Sequence, residues 1–258
     1  MPELERPDGA RIHHEVRGDG PLVVLSLGYA ATPAVYEALI AELARDRRVL
    51  TWHPRGCGES SREGPYDLDT DAGDLLALIE AAGGSATLFG AGHGVNVSAR
   101  ASFRRPAGVR AFATPGVVAA LRDHVADTEG FASSETVTQM LVEQLRRDPR
   151  AAVRATLASL NPQLDDEGLR ARVDETLAYT DVEVTLARVE AWRGHDTALE
   201  ELRALGGRLT VMWHHGDAWQ TGAIGRAAEL LPEANIVEVE NGPLSRPDLA
   251  ANIVRELG

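Results

Sequence analysis

The run Leu88-Phe89-Gly90-Ala91-Gly92-His93-Gly94-Val95 holds the residues around which the chemistry of this chain has to be argued. Apolar residues lead into alternating glycines and then into a helical pattern, as in a strand, a tight turn and a helix. In a G-x-S-x-G turn of this form the central serine stands at the tip with its hydroxyl exposed as a nucleophile. Here the central residue is Gly92, which has no side chain to attack with, and His93 follows it. So sharp a turn costs a residue with a side chain about 1–3 kcal/mol. Glycine reaches positive φ without that penalty, so Gly92 relaxes the turn where no serine chemistry is needed.

The elements around this turn alternate. Arg11–Val16, Leu22–Leu27, Arg48–Trp52, Ala86–Gly90 and Val109–Ala113 read as strands. Helical spacing covers Ala34–Ala44 and Asp67–Ala82, and a further helix starts near His93. Such alternation predicts a mostly parallel sheet with helices on both faces, an α/β fold. From about Val117 to Leu205 the pattern is helical, broken at Asn161-Pro162, with Asp165-Asp166-Glu167 as an acidic first turn. Strands return at Leu209–Trp213 and Ile236–Val239 around a helix at Gly222–Leu231. The last helix has Ser245 as its expected cap and Pro247 in its first turn.

This layout resembles the α/β-hydrolase fold over nearly the whole chain. The resemblance is carried by Leu27-Gly28-Tyr29 after an early strand, by Pro54-Arg55-Gly56-Cys57-Gly58-Glu59-Ser60 after the next, by the turn at Gly92, and by Asp217 after a late strand. It implies a core of residues 1–116 and 206–258 and a helical cap of residues 117–205. It also implies a nucleophile, a histidine and an acid. Gly92 stands at the nucleophile's position, Pro243 in Glu240-Asn241-Gly242-Pro243-Leu244 at the histidine's, and no histidine follows His215. Only Asp217, in His214-His215-Gly216-Asp217, matches a triad position. The family's oxyanion hole uses backbone N–H groups, here those of Tyr29 and His93, which substitution of side chains does not remove.

The candidate catalytic residues are therefore Asp217, His93 and His215. A histidine near neutral pKa is a natural acid or base, and an aspartate desolvated under a cap can act as one itself. His214 and His215 are adjacent, so at an extended strand end only one of them faces a pocket. Gly28, Tyr29 and Trp219 are expected to contact substrate, and Trp213 and Tyr36 to lie near pocket edges. Several features carry bland readings. Cys57 sits in a structural turn with nothing nearby to form its thiolate. Ser98 is packing, and His13 and His14 are surface residues of an early strand. A metal site built from His53, His93 and Asp217 has no spacing signature behind it. A dinucleotide loop would need its third glycine at position 95, which is Val95.

Composition narrows the field. The chain of 258 residues contains no lysine, which excludes lysine Schiff bases, an internal pyridoxal-phosphate linkage and a P-loop lysine. A net charge of −13 argues against a nucleic-acid surface. No apolar run approaches a membrane span. A lone cysteine and a polar, acidic start fit a cytoplasmic protein of a GC-rich bacterium. The expected partner is a small molecule, with homodimerisation open and no cofactor called for. Three functions remain. The first is an enzyme that cyclises, eliminates or rearranges a small, apolar or cyclic carbonyl compound without an acyl-enzyme, in secondary metabolism. The second is a binding protein with a dead site, and the third a hydrolase whose water is activated by Asp217.

Overall fold

Successive residues of the central strands point to opposite faces of one sheet, and both faces are buried. In the computed structural model, residues 3–28, 32–116, 120–125, 134–160, 164–191, 198–213, 218–240 and 246–257 are described. The strands are β1 (Glu3–Glu5), β2 (Arg11–Arg17), β3 (Leu22–Ser26), β4 (Arg48–Trp52), β5 (Ala86–Gly90), β6 (Val109–Thr114), β7 (Leu209–Trp213) and β8 (Asn235–Glu238). They form an eight-stranded sheet in the order β1-β2-β4-β3-β5-β6-β7-β8. The β1 and β2 strands run antiparallel to their neighbours, and the rest are parallel. The α/β class and the mostly parallel sheet are as expected. Strand β1 is not anticipated by the acidic N-terminal sequence. It pairs Glu3 to Glu5 with His13 to Arg11 as a polar edge, a placement that backbone pairing decides and periodicity does not show.

The two faces bury different sets. Leu22, Val24, Leu50, Leu88, Phe112 and Val211 pack with α2 (Leu68–Ala81), α3 (His93–Arg104), α9 (Ala198–Arg203) and α10 (Ala218–Leu230). Val23, Leu25, Val49, Phe89, Ala113 and Met212 pack with α1 (Glu37–Leu43) and the last helix, α11 (Pro247–Glu256). Tyr36 belongs to this second cluster, edge-on to Phe89 at 5.8 Å between ring centroids. It is therefore core and not a pocket edge, and its turn is 3-10 rather than α-helical from Pro33 to Tyr36.

Helix α2 shows how local sequence sets an element. Asp67 caps it by accepting from the Thr70 N–H at 2.7 Å. Leu68, Ala72, Leu75, Leu78 and Ile79 form its buried stripe. Gly83 and Gly84, both at positive φ, end it. Between β6 and β7 the described residues form the helices α4 (Arg122–Val125), α5 (Ser134–Arg147), α6 (Pro149–Leu160), α7 (Asp166–Tyr179), α8 (Val182–Ala191) and α9, with a 3-10 turn at Gly206–Arg208. Leu121, Val125, Leu199 and Leu202 join the sheet's own core, whereas α5 to α8 bury two small clusters around Leu145 and Leu157. No helix among the described residues is long and apolar enough to cross a membrane.

Helix α3 lies so close to β3 that a Cβ on Gly94 would stand 1.8 Å from the Ser26 carbonyl oxygen. Backbone cannot yield to that contact without moving the helix. Gly94→Ala is therefore expected to cost at least about 3 kcal/mol, the upper end of ordinary overpacking. Urea unfolding measures it, and a wild-type midpoint would contradict the packing described.

Candidate functional site

The turn after β5 keeps the sharp shape that its sequence suggests. Gly92 has φ 55° and ψ −126° and stands immediately before the first residue of α3. The turn is tied down by Ala91 N–H donating to Ser26 at 3.0 Å and by Gly94 N–H donating to Ala91 at 3.0 Å. Gly28 lies across it. A Cβ on Gly92 would be 3.4 Å from the Gly28 Cα, and a Cβ on Gly28 would be 3.6 Å from the His93 nitrogen. The structure thus brings together Gly28, Gly92 and the His93 backbone at the positive end of α3, whose Gly94 and Val95 N–H groups donate to Ala91 and Gly92. The tip has room for a small side chain, so its conformation and not its space favours glycine.

The His93 side chain is buried and faces α2. Its Nε2 lies 3.2 Å from Asp71 Oδ2. Asp71 is fully buried and is gripped from the other side by Arg188 of α8, whose Nη2 donates to Oδ1 at 3.0 Å and Nε to Oδ2 at 3.2 Å. Arg188 is 1% exposed; it also donates to the Arg55 carbonyl at 3.1 Å and lies 3.7 Å from Cys57 Sγ. The Tyr66 ring sits beneath it, 5.7 Å from the guanidinium carbon. Burial alone would raise the Asp71 carboxyl, but the Arg188 charge and the His93 hydrogen bond hold it below its ordinary value. Asp71 is therefore a carboxylate and only accepts, so Nε2 is the ring nitrogen of His93 that donates to it.

The helical segment touches the core at further points beside this pair. The Gly58 N–H donates to Tyr179 at 2.6 Å, Cys57 forms a bridge with Thr180, and Thr32 hydrogen-bonds Glu175. Cys57 is buried, and burial pushes its thiol up against the opposing influence of Arg188. The sequence reading that nothing near Cys57 favours a thiolate is corrected by this guanidinium. Burial outweighs it, so the thiol form still holds.

His13 is another correction. It is 2% exposed rather than a surface residue, because β1 and the loop after β4 cover it. Its ring lies tilted against that of His53, 4.6 Å between centroids, and its Nδ1 lies 3.3 Å from Glu59. His53 in turn accepts from the Glu59 N–H at 3.1 Å and meets the edge of Tyr179 at 5.0 Å. Burial, with the adjacent His13, pushes His53 down to about 4. Among the described residues no group of three potential ligands comes together that could hold a metal ion. Ser98 is buried on α3 and packs there. Trp213 lines an apolar groove with Ile224, Leu231 and Ile236 between α10 and β8. Tyr29, His214, His215, Asp217 and the cap residue Ser245 lie outside the described residues, as does the Trp219 side chain.

Sequence reasoning missed Asp71 and Arg188. A signal existed for the first. Asp71 and Asp74 fall on the same face as Leu68, Leu75 and Leu78, and a carboxylate within an apolar stripe needs a buried partner. Asp74 has two, Arg55 and Arg6, each at 2.8 Å. Arg188 likewise sits among Val184, Leu186 and Val189 on a short helix. Which arginine meets which aspartate is a matter of tertiary packing.

This arrangement of sheet, turn and flanking helices is the α/β-hydrolase fold. An esterase from Exiguobacterium antarcticum superposes with a TM-score of 0.81 at 17% identity, covering 99% of this chain and 98% of that one. No protein-family model matches the chain. By sequence it is 35% identical over 121 residues to the polyketide synthase ThaQ of Burkholderia thailandensis, which is 46% of this chain and 6% of that protein. It is also 35% identical over 81 residues to the probable oxidoreductase EphD of Mycobacterium tuberculosis, which is 30% of this chain and 14% of that one. The chain thus matches only a small part of either relative.

Arg188→Met leaves the Asp71 carboxylate buried with one partner fewer. It is expected to cost about 3–5 kcal/mol, as when one member of a buried ion pair is removed, and chemical denaturation measures the loss. His53 sets a pH dependence. Its value is about 4 folded against about 6.5 unfolded, so the unfolded chain binds the extra proton between these limits. Stability is then full above about pH 6.5 and falls as pH drops towards 4. In His53→Gln this part of the pH profile should flatten; an unchanged slope would exclude His53 as its source.

Proposed function

We propose that this chain is an atypical enzyme on the α/β-hydrolase fold that moves a proton on a small carbonyl compound and forms no acyl-enzyme. One observation carries the reading: the turn keeps φ 55° at Gly92 while the imidazole beside it is held 3.2 Å from a buried carboxylate. The turn brings the positive end of α3 to this place, which favours developing negative charge. In this reading the carbonyl oxygen sits at the backbone N–H groups of His93 and Tyr29. Gly28, Tyr29 and Trp219 line the site, and residues 117–205 cover it as a cap. A base removes the proton next to the carbonyl; the C–H electron pair becomes the new C=C bond and the carbonyl π pair passes to the oxygen. His93 is the first choice as base, with Asp217 and His215 as its partners or replacements. The enolate then cyclises, eliminates or is reprotonated.

The partial likeness to a polyketide synthase supports a β-dicarbonyl substrate class in bacterial secondary metabolism. Such compounds carry an acidic C–H between two carbonyls and need no covalent activation. A second reading, a binding protein with a dead site, is favoured by the depth of His93, which is 7% exposed.

A β-ketothioester in deuterium oxide separates the readings. The enzyme should exchange the proton between the carbonyls, and His93→Gln should slow this by about 10²–10⁴-fold, the usual worth of a general base. Exchange at the buffer rate with saturable binding would leave the binding protein. Short aryl esters should not be hydrolysed faster by the wild type than by Asp217→Asn; turnover lost in that variant would instead establish a hydrolase driven from Asp217.

A further inference from the structure

The helical segment does not merely lie over the core. It sends Arg188 into the core, where the guanidinium takes both oxygens of Asp71, at 3.0 and 3.2 Å, and the second of these oxygens also meets His93 Nε2 at 3.2 Å. An arginine fork fixes a carboxylate in one plane, as a single ammonium cannot. A carboxylate so fixed offers His93 a lone pair in one direction, and that direction sets which ring nitrogen carries the proton.

We propose that Arg188 is a positioning residue for His93: seated through α8, it locks Asp71, which in turn holds the imidazole with its Nε2–H directed at the carboxylate. The proton-transfer group is then competent only while α8 is docked, so seating of the helical segment and readiness of the site are one event. Neighbouring groups support this coupling. Arg188 also binds the Arg55 carbonyl at 3.1 Å, the Gly58 N–H meets Tyr179 at 2.6 Å, and Val184 packs where a Cβ on Gly56 would stand 2.4 Å away. All three contacts lie between the loop after β4 and the α7–α8 corner, so Arg188 enters along a path that the loop already fixes.

The inference rests on the proposed role of His93 for its catalytic meaning but not for its test. Nitrogen-15 NMR of the imidazoles reads the tautomer directly, with the His93 signals assigned by their loss in His93→Gln. The wild type should show His93 as Nε2–H. Arg188→Met should show a mixture of tautomers, and Arg188→Lys, which restores the charge, should return it towards Nε2–H. If Arg188→Met does not fold, Arg188→Gln carries the measurement: it keeps a hydrogen-bond donor to Asp71 without the charged fork and should also show the mixture. A role in stability alone predicts the opposite: Nε2–H persists in Arg188→Met and in Arg188→Gln. That result, or an Nδ1–H ring in the wild type, overturns the proposal. Loss of the single tautomer with deuterium exchange unchanged would leave the coupling standing and remove His93 from the proposed chemistry.

Discussion

A carboxylate with no exposure to water has to be answered by charge, and the answer to Asp71 ties this molecule together. Its two oxygens are shared between a guanidinium from α8 and an imidazole from the start of α3. Three elements far apart in sequence therefore meet at one group. Removing such a group from water costs several kcal/mol per ion, and the attraction only offsets this when geometry is good and every lone pair is used. A pair of apolar side chains of equal volume would hold the same elements at no greater cost. What apolar packing cannot supply is direction. The ion pair fixes where α8 sits, how Asp71 is rotated and which nitrogen of His93 bears the proton.

The turn at Gly92 depends on a different constraint, the approach of α3 to β3. Gly94 lets the helix rest on the Ser26 carbonyl, and Ala91 donates to that same carbonyl. With the helix so placed, its first N–H groups must emerge at the end of the parallel strands, where an open α/β sheet offers a crevice. Strands β3 and β5 are adjacent and parallel, with Ser26 opposite Gly90, so the loop carrying Gly28 falls across the turn. The shape of the turn is a property of sheet order and glycine placement, and none of its parts is a nucleophilic side chain.

Much of this was legible in sequence. Runs such as Leu22–Ser26 and Ala86–Gly90 are short, apolar and bounded by glycine, so burial on both faces follows from composition. Asp67, Gly83 and Gly84 bracket α2 through chemistry that acts within a few residues. Where the reading went wrong, the deciding forces were non-local. Glu3–Glu5 alternates over only three residues, with Leu4 turned against the core, too short a run to read as a strand until β2 offers it an edge. His13 is a polar residue on a strand with a mixed pattern, and it is buried because His53 and Glu59 arrive from a loop some forty positions away. Tyr36 has the look of a pocket aromatic, yet Phe89 claims its ring. The partnership of Asp71 with Arg188 spans 117 positions, and no local pattern encodes it beyond the hint that both charges lie in apolar stripes.

The histidine that follows the turn is more than a relic for a related reason. An imidazole abandoned by its chemistry would need only to be packed or to reach water. His93 is instead supplied with a buried carboxylate, and that carboxylate with a buried arginine, each of which lowers stability unless the others are in place. The three buried groups depend on one another, because loss of any one leaves a charge or a hydrogen-bonding nitrogen stranded away from water. They stand beside the turn at Gly92, so the orientation of the ring is set by groups that cannot be exchanged one at a time.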